Sequence, residues 1–506
     1  MGFFKQNHRG IIQHYKQLQN SNISGTKVFP SFGENVNFII EFFNNSHDLM
    51  TYPFMFKQKE CMVLYLETLV DQDKLEQKFF IPLSQRENNI EKRKSFTLEH
   101  FPNSINFSEI TSKMLQGFAI VIMDGEKHVL LIDTGLSNDR GTEEPNNEKV
   151  VRGSHLGFVE NIAINLNLIR TRIKNQNLFI EYQTIGEITN TKIAIVHLKG
   201  IANEDVLKNV QNRIKNISSD MIFGPGYFEE FIEDSTVSPF PQMLSTERPD
   251  RVIANLIEGR IALFVDGSPT VLIVPINFFS FYQSPDDYNS RAYIGTFIQV
   301  IRLLSFIIAV SLPGLYIAVI GFHFEVLPEE LVLTVKGAVE KVPYPPLIEA
   351  IIMELTIELI REAGIRLPSA IGTTIGIVGG LVIGDAIVKA GLVSNTMIIV
   401  VATTAISSYV VPSNEMSAAV RLLRFPIMIA AATFGFVGIA FSFMALFIHL
   451  CQLESFGSPY LAPIAPFRFK DIKDSIVRLP LWKLNNRPLD HQPKKVNQQS
   501  SSRKWK

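Results

Sequence analysis

The sequence predicts an α/β soluble region made of two duplicated subdomains, followed by an all-α polytopic domain of transmembrane helices. Three observations support this prediction. Hydrophobic residues make up 46% of the 506 residues, and the long apolar runs lie after residue 290. The half before them contains an internal repeat, and the chain ends in a basic segment. A bilayer therefore explains the apolar half better than a larger soluble core does.

The length of the chain indicates more than one domain, because a single hydrophobic core stops growing well below this size. The predicted parts are an N-terminal extension at 1–29, subdomains at 30–140 and 141–290, a transmembrane domain at 291–455 and a basic cytosolic tail at 456–506. The start of the sequence has no apolar core of signal-peptide length. We therefore expect the N-terminal region to lie in the cytosol.

The internal repeat consists of MLQGFAIVIMDGEKHVLLI and LIEGRIALFVDGSPTVLIV, which align without a gap. Each copy has a glycine, an apolar strand, an Asp-Gly dipeptide and a second apolar strand. The dipeptides are Asp124-Gly125 and Asp266-Gly267. They could belong to a metal or phosphate site, but the flanking strands favour hairpin turns, since glycine accepts the positive φ that a tight turn needs.

The apolar half predicts membrane-spanning helices of sufficient length to cross a bilayer. Four spans are predicted near 293–322, 369–391, 392–411 and 426–451. The tail from residue 456 onward contains 11 Lys or Arg and three acidic residues. By the positive-inside rule it lies in the cytosol, which requires an even number of spans. Arg421 and Arg424 would then lie outside, between the third and fourth spans, and would oppose the rule mildly.

A further helix is predicted at 345–363, between the first two spans, and it is amphipathic. Glu354, Glu358 and Arg361 share one face of it, since they are spaced i, i+4, i+7. Two interpretations stay open: an interfacial or bundle-packed helix, or a carboxylate-lined ion path. If this segment crosses the bilayer, the number of spans rises to five.

Other candidate site residues lie within the predicted spans. An ionisable group at membrane depth normally finds a charged partner or water, so Arg302 and Asp385 are functional candidates that could pair with each other. Small residues spaced four apart let a neighbouring helix approach closely. This candidate packing stripe consists of Gly372, Gly376, Gly380 and Gly384.

The sequence favours a protein that is not an enzyme and has no cofactor. It contains no Gly-rich phosphate loop, no His and Cys cluster with metal-ligand spacing and no nucleophile-elbow motif. The net charge of −1 gives no reason to expect a nucleic-acid partner. The two cysteines, Cys61 and Cys451, cannot form a disulfide framework and suit a reducing compartment.

Several long runs resemble one known family. They are VRGSHLGFVENIAINLNLIRTRI, SPFPQMLSTERPDRVIANLIEGRIALFVDGSPTVLIVPINFFSFYQSPDDY, IELIREAGIRLPSAIGTTIGIVGGLVIGDAIVKAGLVS and RLLRFPIMIAA. Together they resemble the spore germinant receptor A-subunit family, the GerA type of spore germination protein. The resemblance covers roughly residues 50 to 470 of this sequence.

This resemblance implies a multi-pass protein of the spore inner membrane. It implies a receptor complex with a permease-like B subunit and a lipoprotein C subunit, in which nutrients trigger germination and the release of monovalent cations. The A subunit would form a homo-oligomer that acts as a ligand-gated cation channel. The alternative function is a non-conducting scaffold that relays the signal within the same complex.

Overall fold

The structure of the protein is a computed structural model that describes residues 26–88, 101–136, 144–145, 147–367, 384–469 and 471–500. Within these residues the chain forms two five-stranded sheets, a group of apolar helices and a C-terminal segment that returns to the second sheet. The described part therefore has an α/β portion followed by a helical portion, as the sequence predicts.

The first sheet contains β1 Leu49–Phe56, β2 Lys59–Leu66, β3 Asn103–Ser104, β4 Phe118–Met123 and β5 Val129–Asp133. Its order is β1-β2-β4-β5-β3, and every pairing is antiparallel. Helices α1 Phe32–Phe42 and α3 Phe107–Met114 pack on one face, and the helix α2 at 72–88 packs on the other. Because both faces are covered, β4 is a continuous apolar run.

The second sheet contains β6 Leu178–Ile185, β7 Thr191–Leu198, β8 Leu244–Thr246, β9 Ile261–Val265 and β10 Val271–Val274. Its order is β6-β7-β9-β10-β8, and all pairings are again antiparallel. The helices of this part are α4 Ile162–Arg172, α5 Glu204–Lys215, α6 Pro225–Ile232, α7 Pro249–Glu258 and α8 Pro285–Asn289. Helices α4 and α7 cover one face, and α5 and α6 cover the other. The two sheets thus share one strand order.

The repeated Asp-Gly dipeptides form hairpin turns, which confirms the turn interpretation. Gly125 lies between β4 and β5 with φ 74°, and Gly267 lies between β9 and β10 with φ 85°. The carboxylate of Asp266 accepts a hydrogen bond from the backbone N–H of Ile162 at 3.2 Å. This aspartate therefore has a structural role at the start of α4.

A buried ion pair joins the two sheet-containing units. The guanidinium of Arg170, on α4, donates to both carboxylate oxygens of Asp48 at 2.7 and 2.8 Å, and both side chains are fully buried. Asp48 also accepts hydrogen bonds from Ser46 and Thr68. The amide of Asn167 donates across the same contact to the carbonyl of Thr68. Paired and hydrogen-bonded charges of this kind fix the relative position of the two units.

The helical portion contains α9 Ala292–Phe322, α10 Glu329–Val339, α11 Pro346–Arg366, α12 Gly384–Lys389, α13 Asn395–Tyr409 and α14 Asn414–Gln452. Among the described residues, α9 and α14 are long and apolar enough to cross a membrane by length and composition, and α13 is a shorter apolar helix. Helix α9 covers the first predicted span. Helix α11 covers the range of the predicted amphipathic helix, but Glu349 and Glu354 are buried and apolar residues such as Leu355 and Leu359 are exposed. Most of the second predicted span, 369–391, lies outside the described residues.

The helix that contains the fourth predicted span, 426–451, is broken at Gly435, which the sequence analysis did not predict. This glycine has φ 59° and ψ −136°, far from helical values. A straight helix of this length would extend about 58 Å. Met416 near its start and Leu450 near its end nevertheless pack in the same apolar cluster against the second sheet. Helix α14 therefore consists of two antiparallel arms, 414–434 and 436–452.

The segment after α14 packs against the second sheet. It forms the small hairpin β11 Glu454–Ser455 and β12 Ser458–Pro459, and later the short helix α15 Ile472–Ser475. Tyr460 is fully buried in the cluster of α4 and α7. Asp490, also buried, pairs with Arg260 at 3.5 Å. The described residues of the predicted basic tail, up to residue 500, are thus folded against the unit that contains the second sheet.

Candidate functional site

The candidate site is a row of charged side chains between α11 and α14, inside the apolar helical portion. Glu354 of α11 contacts the guanidinium of Arg424, and each side chain is only 1% exposed. One turn further along α11, Glu358 pairs with Arg421 at 3.0 Å. Because Glu354 and Glu358 are four residues apart and the two arginines are three apart, the pairs stack one above the other. We call these four residues the charge ladder.

Further polar contacts continue this row toward the start of α11. A carboxylate oxygen of Glu349, which is fully buried, accepts a hydrogen bond of 2.5 Å from the backbone N–H of Ser394. The hydroxyl of Ser394 lies 3.0 Å from the hydroxyl of Tyr316 on α9. Ser394 also caps α13, since its hydroxyl accepts from the N–H of Met397. One oxygen of Glu349 is therefore held at a helix terminus, whose N–H groups favour an anion, and the other, Oε2, has no hydrogen-bond partner among the described residues.

The row becomes exposed toward the end of α11. The guanidinium of Arg361 lies 4.3 Å from the ring centroid of Tyr409 and donates to its hydroxyl at 3.1 Å. Glu362 pairs with Arg366 at 2.6 Å, with side chains 60% and 77% exposed. Carboxylate exposure thus rises from 1% at Glu354 through 31% at Glu358 to 60% at Glu362. The acidic face of α11 therefore reaches the surface near the C-terminal end of this helix.

Some buried polar atoms of the charge ladder have no hydrogen-bond partner within the described part of the chain. These atoms are Nε and Nη2 of Arg424 and Oε1 of Glu354. Donors and acceptors that stay unpaired in a buried site cost free energy, so they have a strong tendency to take up a further polar group. The ladder can therefore accept more polar contacts than α11 and α14 supply.

The structure brings together two of the predicted site residues, Glu354 and Glu358. It places Arg302 elsewhere: its guanidinium donates to the carboxylate of Asp287 at 2.5 Å and to the carbonyl of Tyr282 at 3.1 Å. Among the described residues Arg302 thus contacts the part of the chain that contains the second sheet, because the first turns of α9 lie against α8, and its pairing with Asp385 stays a prediction. The side chain of Asp385 lies outside the described residues.

The predicted glycine stripe has only one member on a described element. Gly384 begins α12. The other three, Gly372, Gly376 and Gly380, lie outside the described residues, so the packing role of the stripe stays a prediction.

Sequence reasoning missed Arg421 and Arg424 as partners of the glutamates and placed them in an outer connection. That placement is wrong, because α14 begins at Asn414 and includes both arginines. The sequence contained one signal for this pairing. The two arginines are three residues apart and the two glutamates are four apart, so each pair lies on one face of an apolar helix. Among the described residues, no group of three or more His, Cys, Asp or Glu side chains could hold a metal ion.

The comparisons with known proteins identify the family. Residues 37–489 match the family described as Bacillus/Clostridium GerA spore germination protein. The chain belongs to the GerA family. This GerA protein is 41% identical over 433 residues to spore germination protein KA of Bacillus subtilis (strain 168), covering 84% of this chain and 80% of that protein.

Other relatives span a similar share. This GerA protein is 43% identical over 384 residues to spore germination protein A1 of the same organism, covering 76% of this chain and 78% of that protein. It is 37% identical over 484 residues to the uncharacterized membrane protein YfkQ of B. subtilis (strain 168), covering 94% of each.

One solved structure is also similar. It is the crystal structure of the N-terminal domain of the A subunit of the Bacillus megaterium spore germinant receptor GerK3. The match has 31% identity and a TM-score of 0.38, and it covers 50% of this chain and 98% of that chain.

Proposed function

We propose that this GerA protein is the A subunit of a nutrient germinant receptor and that, as a homo-oligomer, it forms a ligand-gated cation channel. The charge ladder between α11 and α14 carries the proposal. A simple membrane anchor has no need of ionised groups in an apolar helical portion, where they are expensive and normally serve transport or signalling. The receptor would also contain a permease-like B subunit and a lipoprotein C subunit, and it would lie in the spore inner membrane.

Within this proposal the carboxylates have separate roles. Glu354 is buried against Arg424 and holds α11 to α14. Glu358 and Glu362 are progressively exposed at the end of α11. In a ring of subunits these two carboxylates would recur around the axis, and they would attract monovalent cations when a cation displaces their arginine partners, Arg421 and Arg366. We therefore assign ion selectivity to Glu358 and Glu362 and structural support to Glu354.

The proposed topology places both ends of the chain in the cytosol. The contacts of Met416 and Leu450 put the start and end of α14 beside the second sheet. Gln299, in the second turn of α9, donates to the carbonyl of Asp474 in the C-terminal segment at 3.1 Å. The soluble portion and this segment therefore share one side of the proposed bilayer, which agrees with the basic charge of the segment.

The test is ion flux through liposomes that contain the purified full chain. We expect K⁺ and Na⁺ to pass in preference to Cl⁻. The Glu358→Gln/Glu362→Gln variant should lower the ratio of cation to anion permeability. The matched control is Glu329→Gln/Glu330→Gln, which removes the same charge from α10 and should leave that ratio unchanged. An unaltered ratio of cation to anion permeability in Glu358→Gln/Glu362→Gln would exclude an ion path along these two carboxylates.

The second candidate is a non-conducting scaffold that relays a signal through the receptor. The buried pair of Glu354 and Arg424 favours it, because such a pair can serve helix association alone. A scaffold predicts no flux from the purified chain at any ligand concentration. It also predicts that the Glu358→Gln/Glu362→Gln variant supports normal cation release in spores.

A further inference from the structure

Three large apolar side chains near the start of the C-terminal segment are exposed. Phe467 is 71% exposed, Phe469 is 74% exposed and Ile464 is 36% exposed. Single exposed apolar residues are common on protein surfaces, whereas a group of them marks an interaction site. We call these three residues the apolar patch.

The apolar patch lies beside the proposed membrane-spanning helices. Ala465 and Ile476, which flank the two phenylalanines in sequence, pack against an apolar cluster of the second sheet. Phe306 of α9 and Leu446 of α14 pack against the same cluster. The chain on either side of the two phenylalanines is therefore held at the junction between the second sheet and the proposed spans.

Hydrogen bonds also hold the C-terminal segment at this junction. The amide of Gln299, on α9, donates to the carbonyls of Asp474 and Ser475 at 3.1 Å each. The hydroxyl of Thr296, also on α9, donates to the carbonyl of Arg478 at 3.1 Å. The residues that follow the apolar patch therefore run alongside the first two turns of α9, where this helix enters the proposed bilayer.

The charge around the apolar patch is mainly basic. The run FRFKDIK, at 467–473, contains three basic residues and one acidic residue, Asp471. Arg468 donates from Nη1 to the carbonyl of Leu489 at 2.6 Å, and a guanidinium has four further N–H groups. The side chain of Lys473 is exposed. The positive charge that remains favours an anionic partner.

We propose that the apolar patch inserts into the headgroup region of an anionic bilayer and that Arg468 and Lys473 contact the lipid phosphates. A bilayer interface takes up aromatic side chains beside basic ones, since the ring leaves water while the cation stays near a phosphate. The proposal rests on the placement of α9 and α14 in a bilayer and does not depend on ion conduction. Insertion would attach the C-terminal segment to the membrane at a point outside the spans.

Spin-label accessibility of the full chain in lipid nanodiscs tests the insertion. Phe469→Cys in a Cys61→Ala/Cys451→Ala chain carries the nitroxide. Collisions with oxygen report lipid, and collisions with a water-soluble nickel chelate report water. We expect the oxygen-to-nickel ratio to lie near that of Phe441→Cys, on an exposed position of α14. It should be well above that of Ser108→Cys, on a water-exposed position of α3.

The other outcomes contradict the insertion in different ways. A ratio at position 469 that equals that of Ser108→Cys would overturn it, while a lipid signal from Phe441→Cys would leave the bilayer placement of α14 intact. Low accessibility to both reagents at position 469 would indicate contact with protein, from a second copy or another subunit, and would also overturn it. A water signal from Phe441→Cys would overturn the bilayer placement and the insertion together.

The lipid charge tests the role of the basic residues. We expect the ratio at position 469 to be at least about twofold higher with phosphatidylglycerol present than in phosphatidylcholine alone. Arg468→Gln/Lys473→Gln should remove this difference, and Lys473→Gln alone should lower it if the double variant does not fold. The matched control, Lys208→Gln/Lys215→Gln on exposed positions of α5, should keep it. Equal ratios in the two lipids would overturn the proposal.

Discussion

The carboxylate of Glu354 on α11 and the guanidinium of Arg424 on α14 form an ion pair whose side chains are each only 1% exposed. Taking two charges out of water is costly, and their attraction offsets the cost only while both are present. The pair therefore stabilises the contact between α11 and α14 only while both residues are present, and loss of either one weakens that contact. It also separates the structural role of Glu354 from the exposed positions of Glu358 and Glu362.

The first prediction concerns this pair. Glu354→Gln should destabilise the chain by about 3–5 kcal/mol, because it leaves Arg424 buried without a counter-charge. The exchange Glu354→Arg/Arg424→Glu should recover part of that loss. Glu362→Gln, at an exposed pair, is the control and should cost less than about 1 kcal/mol. Thermal unfolding of the detergent-purified chain measures all three, and equal effects of Glu354→Gln and Glu362→Gln would contradict the prediction.

The second prediction concerns the contact between the two sheet-containing units. Arg170→Met should be strongly destabilising, by about 3–5 kcal/mol, since Asp48 would stay buried without its guanidinium. Asp48→Asn/Arg170→Met should be less destabilising than Arg170→Met alone, because it removes both charges. Denaturant unfolding of the full chain provides the comparison. If the double variant loses as much unfolding free energy as Asp48→Asn and Arg170→Met lose in sum, the two residues are not coupled.

The third prediction concerns pH. Burial lowers the pKa of His197, on β7, to about 4, although Glu181 opposes this shift. Between about pH 6.5 and 4 the unfolded chain binds one more proton than the folded chain does at this residue. The contribution of His197 to the free energy of unfolding should therefore be complete above pH 6.5 and be lost as the pH falls to about 4. The maximum slope should be about 1.4 kcal/mol per pH unit.

The variant His197→Phe should remove this part of the pH dependence, because the ring of Phe179 can pack against a phenyl group in the same place. The control is His155→Gln, at an exposed histidine, which should keep the slope of the unaltered chain. Unfolding free energies measured from pH 7 to 4 decide the matter. A slope in His197→Phe that matches the control would show that His197 is not responsible.

The fourth prediction concerns the break in α14. Gly435→Ala should destabilise the two-armed arrangement by about 1–3 kcal/mol, because its φ of 59° and ψ of −136° suit glycine alone. An added Cβ would also lie 3.0 Å from Nε2 of His323 and 3.3 Å from the side chain of Phe322. Gly337→Ala, within α10 and facing open space, should be neutral or stabilising. Thermal unfolding distinguishes the two, and equal effects would mean that the break tolerates a side chain.

The fifth prediction concerns topology. Cys451 lies near the end of α14, beside the second sheet, and Glu325 follows the opposite end of α9. A thiol reagent that cannot cross membranes, applied to intact cells, should label a Cys451→Ala/Glu325→Cys variant and leave the unaltered chain unlabelled. Permeabilised cells should allow labelling of Cys451, which is exposed. Labelling of Cys451 in intact cells would place the C-terminal segment outside.

Local patterns were sufficient to predict much of the fold. The Asp-Gly turns and the apolar strands around them are determined by residues within a few positions of each other, so the repeat was visible in the sequence. The helical periodicity at 345–363 predicted α11, because one face of a helix is defined by spacing alone. Glu354 and Glu358 were recognised for the same reason, since four residues place them on one face.

Pairing across distance was decided only by the tertiary structure. Arg424 is 70 positions from Glu354, and the described partner of Arg302 is Asp287, on a different helix. The break at Gly435 was also hidden, because a glycine within a long apolar run is compatible with a straight helix. Hydropathy and periodicity report the neighbours of a residue along the chain, whereas the partner of a buried charge depends on which helices pack together. The sequence by itself therefore determined the Asp-Gly hairpins, the helix at 345–363 and the family resemblance. The tertiary structure decided the charge ladder, the two arms of α14 and the packing of the C-terminal segment.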